Sequence, residues 1–291
     1  MDLTIITVNT NDKEKLLEQI SSVVFASQGI EYEQIISDNG STDGSLASIR
    51  TAYPHIKIVE NGKNIGFGSA NNAALPFVSG EFILFLNPDM RLEHNSLGKI
   101  IAWMRENKKI GIASCKLVDE KGNPDDRAKP RRFPTLFDQL VSLCKLPHLF
   151  PRIISRYLYQ DFDPEKEQEV DSVRGSFMLV RKEIVDRLGW AFDKRYFLWF
   201  EDVDICKEVW KMGYKVVYTP LIFCVDYIGQ TFARQPSLQK QIWFTKSMLT
   251  YFQKWEPWYV WIWIGMARPI ALFMVWLQAS IKSIRNIIIT K

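Results

Sequence analysis

The residues of this sequence that are best suited to chemistry are acidic side chains that directly follow apolar runs. Asp89 comes after the uninterrupted apolar run Phe82–Leu86, Asp38 comes after a second strand-like run, and the pair Glu201-Asp202 comes after an aromatic stretch. A carboxylate in such a position can hold a divalent cation against a phosphate, take the proton of a hydroxyl group, or cap the helix that follows.

The acidic pair Glu201-Asp202 helps to choose between these roles. Asp89 alone fits a turn as well as a cation site, because Asp is a common turn residue. Helix capping explains part of the pair as well. However, the preceding residues 196–200, Tyr-Phe-Leu-Trp-Phe, predict an apolar rim that raises the pKa of a carboxylate and makes it a better base. A metal-binding carboxylate and a base together are the set needed to displace a nucleotide diphosphate with a hydroxyl group.

Two glycine-containing turns follow predicted strands. Residues 38–45 read Asp-Asn-Gly-Ser-Thr-Asp-Gly-Ser, and capping or turn formation by Asp43 and Ser45 explains about half of them. Asp38 lies at the carboxyl end of its strand, where it can accept hydrogen bonds from a base or a ribose hydroxyl. In the turn from Asn64 to Gly66, the glycine would let the backbone approach a phosphate or a base. This turn is not a P-loop, because no Gly-Lys-Ser/Thr follows it.

The elements that must position these residues alternate along the first half of the chain. Hydrophobic periodicity predicts strands at residues 3–8, 33–37, 57–60 and 81–86, and helices at 13–25, 45–53, 66–78 and 97–107. This β-α-β rhythm indicates a mostly parallel sheet with right-handed crossovers. Ligands of such sheets bind beyond the carboxyl ends of the strands, which is where the acidic residues are expected.

The second half of the chain is less regular. Prolines and glycines break residues 115–170 into loops and short helices, and cations are frequent there. Further on, the pattern predicts a strand at 173–181, helices at 182–188 and 202–212, and short strands at 216–218 and 222–225.

The C-terminal segment has the composition of a membrane-surface element. The chain carries a net charge of +4, and from Lys240 onward it has seven Lys or Arg but one acid, Glu256, among many tryptophans. Aromatics flanked by cations suit a lipid interface, and the high apolar content between the charges argues against nucleic acid. Residues 257–281 are long enough to span a bilayer, but Arg268-Pro269 in the middle predicts two shorter helices that lie in the interface. A spanning helix and an oligomer contact stay open as alternatives.

Two further features concern the compartment. The N-terminus lacks a basic region and enters a strand at once, so it is not expected to be a signal peptide. Four cysteines without metal-ligand spacing favour a reducing compartment.

Six ordered motifs resemble glycosyltransferase family 2, the inverting enzymes of GT-A fold, and most of all its rhamnosyltransferase-like branch, which has Asn-Pro-Asp where other members have Asp-x-Asp. The likeness covers residues 2–235. The motifs are Thr7-Val8-Asn9, the segment 37–45, Asn64-Ile65-Gly66-Phe67, Asn87-Pro88-Asp89, Gly175-Ser176-Phe177-Met178 and the segment 197–204. The resemblance implies an α/β GT-A domain at 1–235, and the composition of the remaining residues predicts a helical, membrane-interface extension at 236–291.

The resemblance also implies roles for single residues. Asp202 would be the base that deprotonates the acceptor, and Glu201 would position the acceptor or the base. Asp89 would bind Mg²⁺ or Mn²⁺ on the diphosphate. Asp226 stands where many relatives have a histidine ligand in a Val-x-His-x-x-Gly setting, and it is expected to bind or adjoin the metal, with a bystander role left open. The residues expected to bind the nucleotide part are Thr7, Asn9, Asp38, Asn64, Gly66 and Asn87.

The expected function is that of a metal-dependent inverting transferase in cell-surface polysaccharide synthesis. It would move a sugar, with rhamnose as a candidate, from a dTDP- or UDP-sugar to a lipid-linked glycan at the cytoplasmic face of the membrane, as a peripheral protein. A sugar-1-phosphate nucleotidyltransferase would need a Gly-rich basic signature after the first strand, and Asn9-Thr10-Asn11-Asp12 provides none. A degenerate, inactive transferase that serves as a membrane-bound scaffold remains the alternative. We further expect a chain that ends at Lys254 to lose membrane binding but to keep transfer to soluble acceptors.

Overall fold

The computed structural model describes the backbone of residues 1–227 and 237–289, and the side chains of 1–227 and 238–281. The strands are β1 Leu3–Asn9, β2 Tyr32–Asp38, β3 Lys57–Glu60, β4 Phe82–Leu86, β5 Met90–Leu92, β6 Ile110–Val118, β7 Gln168–Glu169, β8 Phe177–Arg181 and β9 Lys215–Asp226. The α-helices are α1 Lys13–Ala26, α2 Ser45–Ala52, α3 Phe67–Ala74, α4 Ser96–Glu106, α5 Leu136–Leu143, α6 Pro151–Tyr157, α7 Lys182–Leu188, α8 Glu201–Lys211, α9 Ser237–Trp255 and α10 Trp258–Ile289.

These strands form one mixed sheet in the order β3-β2-β1-β4-β8-β6-β9-β5, with β7 paired to β9. The strands β3, β2, β1 and β4 are parallel, as the alternating pattern predicts. Further along the sheet, β8 runs antiparallel between β4 and β6, and β5 runs antiparallel to β9. The wholly apolar strand β4 lies in the middle and is buried on both faces.

The two largest apolar clusters lie on opposite faces of the sheet. On one face, α1 and α4 pack against side chains such as Ile5 and Leu84. On the other face, α3, α7 and α8 pack against residues such as Ile6 and Phe85. Because neighbouring residues of a strand point to opposite faces, the continuous apolar runs supply both clusters.

Most predicted elements of the first half lie within a few residues of the observed ones, but the sequence did not predict strands β5, β6 and β7. Two predictions for the later part are wrong, because the two short strands at 216–218 and 222–225 are one strand, β9, and because β8 begins at Phe177 instead of 173. The sequence of β6 contains Gly111, which weakens the strand pattern. In the fold this glycine is required, because a Cβ there would lie 2.5 Å from Cδ1 of Ile184.

The C-terminal helices pack on the domain through a third apolar cluster. It joins Leu143, Tyr196 and Phe200 to Tyr251 of α9 and Ile264 of α10, together with other residues of both helices. Residues 238–281 of the predicted extension therefore share a core with the preceding domain.

The prediction that Arg268-Pro269 divides the tail into two helices is wrong, because α10 continues through Pro269. A proline costs the helix one backbone hydrogen bond, and buried Ile264 and Ala271 on either side of it hold the helix against the domain. Arg268 donates from Nε to the Thr245 hydroxyl at 3.2 Å. By length and composition, the stretch Trp258–Ile281 could cross a membrane.

Candidate active site

The loop after β2 is organised by Asp38. Its Oδ1 accepts a hydrogen bond from Asn9 Nδ2 at 2.9 Å, and its Oδ2 accepts from the backbone N–H groups of Gly40 at 3.0 Å and Ser41 at 2.8 Å. Asn9 also donates to the hydroxyls of Ser41 and Ser45. Both Asn9 and Asp38 are buried. A carboxylate has about four acceptor positions, so one position of Asp38 is left for a ligand.

The turn that contains Asn64 and Gly66 is fixed to two other loops. Asn64 accepts from Asn39 Nδ2 at 3.3 Å and from the Gly66 N–H at 2.9 Å. Gly66 has φ +90°, and a Cβ there would lie 2.5 Å from the Phe197 carbonyl oxygen. A glycine is therefore required at this position because the backbone of Phe197, which leads to the acidic pair, packs directly against it. Room for a ligand is not the only reason for the glycine.

Thr7 lies away from these loops in a buried polar network. It is fully buried, and its hydroxyl accepts a hydrogen bond from Gln19 at 2.7 Å and a longer one from Gln34 at 3.4 Å. Its side chain contributes to the packing of α1 on the sheet, so we do not include Thr7 among the residues proposed to contact a donor.

Asp89 and Asp226 meet at the carboxyl end of the sheet. Their strands are paired with Met90 opposite Asp226, and the Tyr227 N–H donates to the Asp89 carbonyl at 3.1 Å. Both acids are 6% exposed. Burial, and then repulsion by Asp226 and Asp12, raises the pKa of the Asp89 carboxyl to about 6. Residues 228–230, the rest of the motif around Asp226, lie outside the described residues.

The Asp89–Asp226 pair has the chemistry of a partial cation site. Two buried carboxylates that repel each other would be relieved by a divalent cation, and Mg²⁺ commonly takes one or two carboxylates and completes its shell with substrate phosphates and water. Within 1–227 and 238–281, no group of three or more His, Cys, Asp or Glu is arranged to hold a metal. The residues therefore fit a cation that shares its coordination shell with a bound diphosphate.

Glu201 and Asp202 form the first turn of α8 and differ in their surroundings. Glu201 is buried, and within the described residues its Oε2 has no hydrogen-bond partner. Burial and the neighbouring Asp202 raise its pKa well above the usual range. Asp202 is half-buried and accepts from the Val203 N–H at 2.8 Å and the Gly175 N–H at 3.3 Å. Burial also raises the pKa of Asp202, an effect that these bonds and the positive charge of Arg174 oppose.

The chain enters α8 in a strained conformation. Trp199 and Phe200 have φ of +64° and +68°, which non-glycine residues rarely adopt and which costs on the order of 1–3 kcal/mol each. Phe200 is the residue before the helix, and its side chain makes no capping hydrogen bond. Capping therefore does not account for the acidic pair, apart from the bond between Asp202 and Val203.

Backbone contacts connect the segments that carry Asp89 and the acidic pair. Asn87 donates its N–H to the Ser176 carbonyl at 3.0 Å, and the adjacent Gly175 donates to Asp202. A Cβ on Gly175 would lie 3.2 Å from the Phe67 ring and 3.7 Å from Cβ of Asp202. Asp89, the turn at Gly66 and the acidic pair thus surround the Gly175–Ser176 corner.

The sequence interpretation missed three neighbours of this site. The negative charge of Asp12 and the positive charge of Lys15 both act on Asp89, and Arg174 acts on Asp202. Asp12 and Lys15 follow β1, so they lie at the same edge of the sheet as Asp38. This position after a strand could have identified them from the sequence. Lys15 also lies over the ring of Tyr227, 3.2 Å from its centroid.

Comparisons with known proteins identify the family of the chain. The sequence model of glycosyl transferase family 2 matches residues 4–189. The chain is 30% identical over 221 residues to the rhamnosyltransferase WbbL of Escherichia coli, which covers 74% of this chain and 78% of that protein. It is 26% identical over 217 residues to the N-acetylglucosaminyl-diphospho-decaprenol L-rhamnosyltransferase of Mycobacterium tuberculosis, with 70% of this chain and 69% of that protein covered. The chain belongs to glycosyltransferase family 2, in its rhamnosyltransferase-like branch.

Solved structures show the same fold. The mannosyltransferase PcManGT from Pyrobaculum calidifontis, in complex with GDP-Man and Mn²⁺, superposes with a TM-score of 0.57 at 17% identity, over 97% of this chain and 74% of that one. S. aureus TarS in complex with UDP-GlcNAc superposes with a TM-score of 0.56 at 16% identity, over 86% of this chain and 65% of that one. The fold is therefore GT-A.

Proposed function

We propose that the protein is an active, inverting, metal-dependent transferase that moves rhamnose from a dTDP- or UDP-sugar to a hydroxyl of a lipid-linked glycan. The names of the two rhamnosyltransferase relatives support the sugar, and the decaprenol-linked substrate in one of those names supports the acceptor. The observation that carries the proposal is the half-buried Asp202. Its carboxylate has a raised pKa and is joined through Gly175–Ser176 to the segment that presents Asp89.

The chemistry of the transfer follows from these positions. Asp202 takes the proton of the acceptor hydroxyl while the oxygen forms a bond to the anomeric carbon of the sugar. The bond from that carbon to the diphosphate oxygen breaks on the opposite side, which inverts the configuration. Glu201 is too buried to receive the acceptor directly, and burial and the neighbouring Asp202 raise its pKa, so we assign it a role in positioning the base.

Asp89 and Asp226 are the proposed ligands of a Mg²⁺ or Mn²⁺ ion. When bound, the cation supplies positive charge to the departing diphosphate. Around it, Asn9, Asp38, Asn64, Gly66 and Asn87 shape the donor loops, chiefly through bonds between the loops.

The outer face of α10 is proposed to lie on the cytoplasmic membrane surface. Large exposed side chains recur every three or four residues, at Tyr259, Trp263, Met266, Ile270, Phe273 and Leu277. The opposite face packs on the domain, and this favours a peripheral helix over a spanning one. The predicted contributions of Lys282, Arg285 and Lys291 fall outside the described side chains.

Asp202→Asn tests the proposed mechanism. Removal of a general base typically lowers kcat about 10²–10⁴-fold, and the affinity for nucleotide diphosphate should change little because Asp202 is not a proposed metal ligand. Nucleotide release with dTDP-, UDP- and GDP-sugars and a lipid-linked acceptor measures the first quantity, and calorimetry measures the second. Asp186→Asn, an exposed acid on α7, is the control. Wild-type turnover in Asp202→Asn would refute the assignment.

A further inference from the structure

Asp204, in the first turn of α8, ties the acidic pair to the C-terminal helices. Its side chain is fully buried and accepts hydrogen bonds from Lys254 Nζ at 2.7 Å, Trp255 Nε1 at 2.7 Å and the Tyr196 hydroxyl at 3.2 Å. Two of these three donors belong to the last turn of α9. The carboxylate lies two residues after Asp202, so the attachment is made within the same helical turn.

The charges around Asp204 come from three elements. Lys254 comes from α9, Asp193 and Tyr196 come from the loop before α8, and Glu208 comes from α8 itself. Lys254 is 2.8 Å from Glu208 and 3.6 Å from Asp193. Removal of one partner from a buried pair leaves an uncompensated charge, which is strongly unfavourable. The arrangement therefore tolerates little displacement of α9 relative to α8.

A second set of contacts from α9 holds the strained entry into α8. The Ser247 hydroxyl donates to the Leu198 carbonyl at 2.7 Å. Phe244 packs on both Trp199 and Phe200, and Tyr251 packs on Phe200. The positive φ values of Trp199 and Phe200 persist only if surrounding structure imposes them, and within the described residues α9 supplies these contacts. The same segment reaches the donor turn, because the Phe67 N–H donates to the Phe197 carbonyl at 3.0 Å.

We propose that Lys254, Trp255 and Ser247 are positioning residues for the reaction, and that α9 is part of the catalytic unit as well as the link to the membrane-facing helix. The inference rests on the proposed transferase activity, since α9 acts through Asp204 and residues 196–200 on the placement of Asp202. It replaces the expectation that a chain ending at Lys254 keeps transfer to soluble acceptors. Such a chain lacks Trp255 and the α10 side of the shared core.

Lys254→Met is the main test, and Arg268→Gln is the matched control. Arg268 bonds Thr245 between α9 and α10, so its substitution loosens the tail without touching α8. A misplacement of about 1 Å can cost roughly 10²-fold in rate. We expect Lys254→Met to lower kcat toward a soluble acceptor about 10- to 100-fold, with nucleotide affinity within about twofold of wild type. Arg268→Gln should stay near the wild-type rate.

Ser247→Ala is a milder perturbation than Lys254→Met, because it removes one hydrogen bond and leaves all charges in place. Folding of each variant is checked by circular dichroism. Hydrogen exchange of residues 196–205 should accelerate in Lys254→Met and Ser247→Ala but not in Arg268→Gln. This measurement needs no turnover. If the wild type transfers no sugar, the proposed function fails, whereas the exchange data still test the attachment.

The comparison of kcat with nucleotide affinity separates positioning from simple stabilisation. Loss of folded protein would weaken both signals together, whereas misplacement of Asp202 lowers kcat and leaves nucleotide affinity unchanged. The proposal is overturned if Lys254→Met keeps both wild-type kcat and wild-type exchange, or if Arg268→Gln loses as much activity as Lys254→Met.

Discussion

Asp89→Asn should make the metal-free protein more stable at neutral and alkaline pH while it weakens metal-dependent donor binding. The pKa of Asp89 rises from its ordinary value of 3.8 to about 6 through burial and through repulsion by Asp226 and Asp12. Each unit of pKa difference corresponds to about 1.4 kcal/mol, so the folded state carries an unfavourable contribution of up to about 3 kcal/mol when this carboxylate is charged. Asparagine has nearly the same shape but no charge, so the substitution removes this unfavourable contribution.

The sign of the pH dependence follows from the higher pKa in the folded state. Between about pH 4 and 6 the folded protein holds this proton and the unfolded chain does not, so the penalty is complete above about pH 6 and disappears below about pH 4. The gain in stability for Asp89→Asn should therefore approach 3 kcal/mol at pH 8 and fall toward zero at pH 4.

Denaturant unfolding in the presence of a chelator measures this difference, and Glu120→Gln, an exposed acid in a surface turn, serves as the control. With Mn²⁺ and nucleotide diphosphate at about 1,000 times their Kd the order should reverse, because the ligand then stabilises the wild type by about 4.1 kcal/mol, which exceeds the gain of about 3 kcal/mol from the substitution, and the variant binds the ligand weakly. A variant less stable than wild type at pH 8, or a difference that does not depend on pH, would refute the reasoning.

Two other predictions concern the second carboxylate and the tail. Asp226→His should retain activity and shift the metal preference toward Mn²⁺, since imidazole suits softer ions. Turnover with each ion measures the metal preference. An unchanged preference in this variant and in Asp226→Ala would show that Asp226 is a bystander. Replacement of three outer residues of α10 by Gln should lower binding to anionic vesicles at least about tenfold, because each aromatic side chain buried in lipid contributes about 1.5–3 kcal/mol. The same change at three exposed apolar residues elsewhere should leave vesicle binding unchanged. Equal co-sedimentation of the two triple variants with vesicles would exclude this face as the membrane contact. The tail residues are Tyr259, Trp263 and Phe273, and the control residues are Val24, Phe25 and Phe77.

The acidic groups could be found from the sequence because each follows a strand or an apolar stretch. Asp38 and Asp89 come directly after runs that are buried on both faces, and Asp202 comes after five apolar or aromatic residues. Position at a strand end is a local property, so the common edge of the sheet was predictable without coordinates. The pairing of Asp89 with Asp226 was expected from the family resemblance, and it is realised by the antiparallel register of β5 on β9.

The sequence by itself determined the alternation of strands and helices in the first half, the parallel direction of those strands, and the acidic residues at their carboxyl ends. Hydrophobic periodicity and strand ends are encoded within about ten residues of each position. Only the tertiary structure decided the rest. Strand β6 pairs with β8 and β9, and Gly111 allows the close packing of Ile184 and Tyr214 on it. The helix α10 stays whole through Pro269 because its buried face is held by the domain. Asp204 is joined to Lys254, fifty residues away, by charge in a buried site. Contacts between distant segments carry no local pattern, and their energies override propensity.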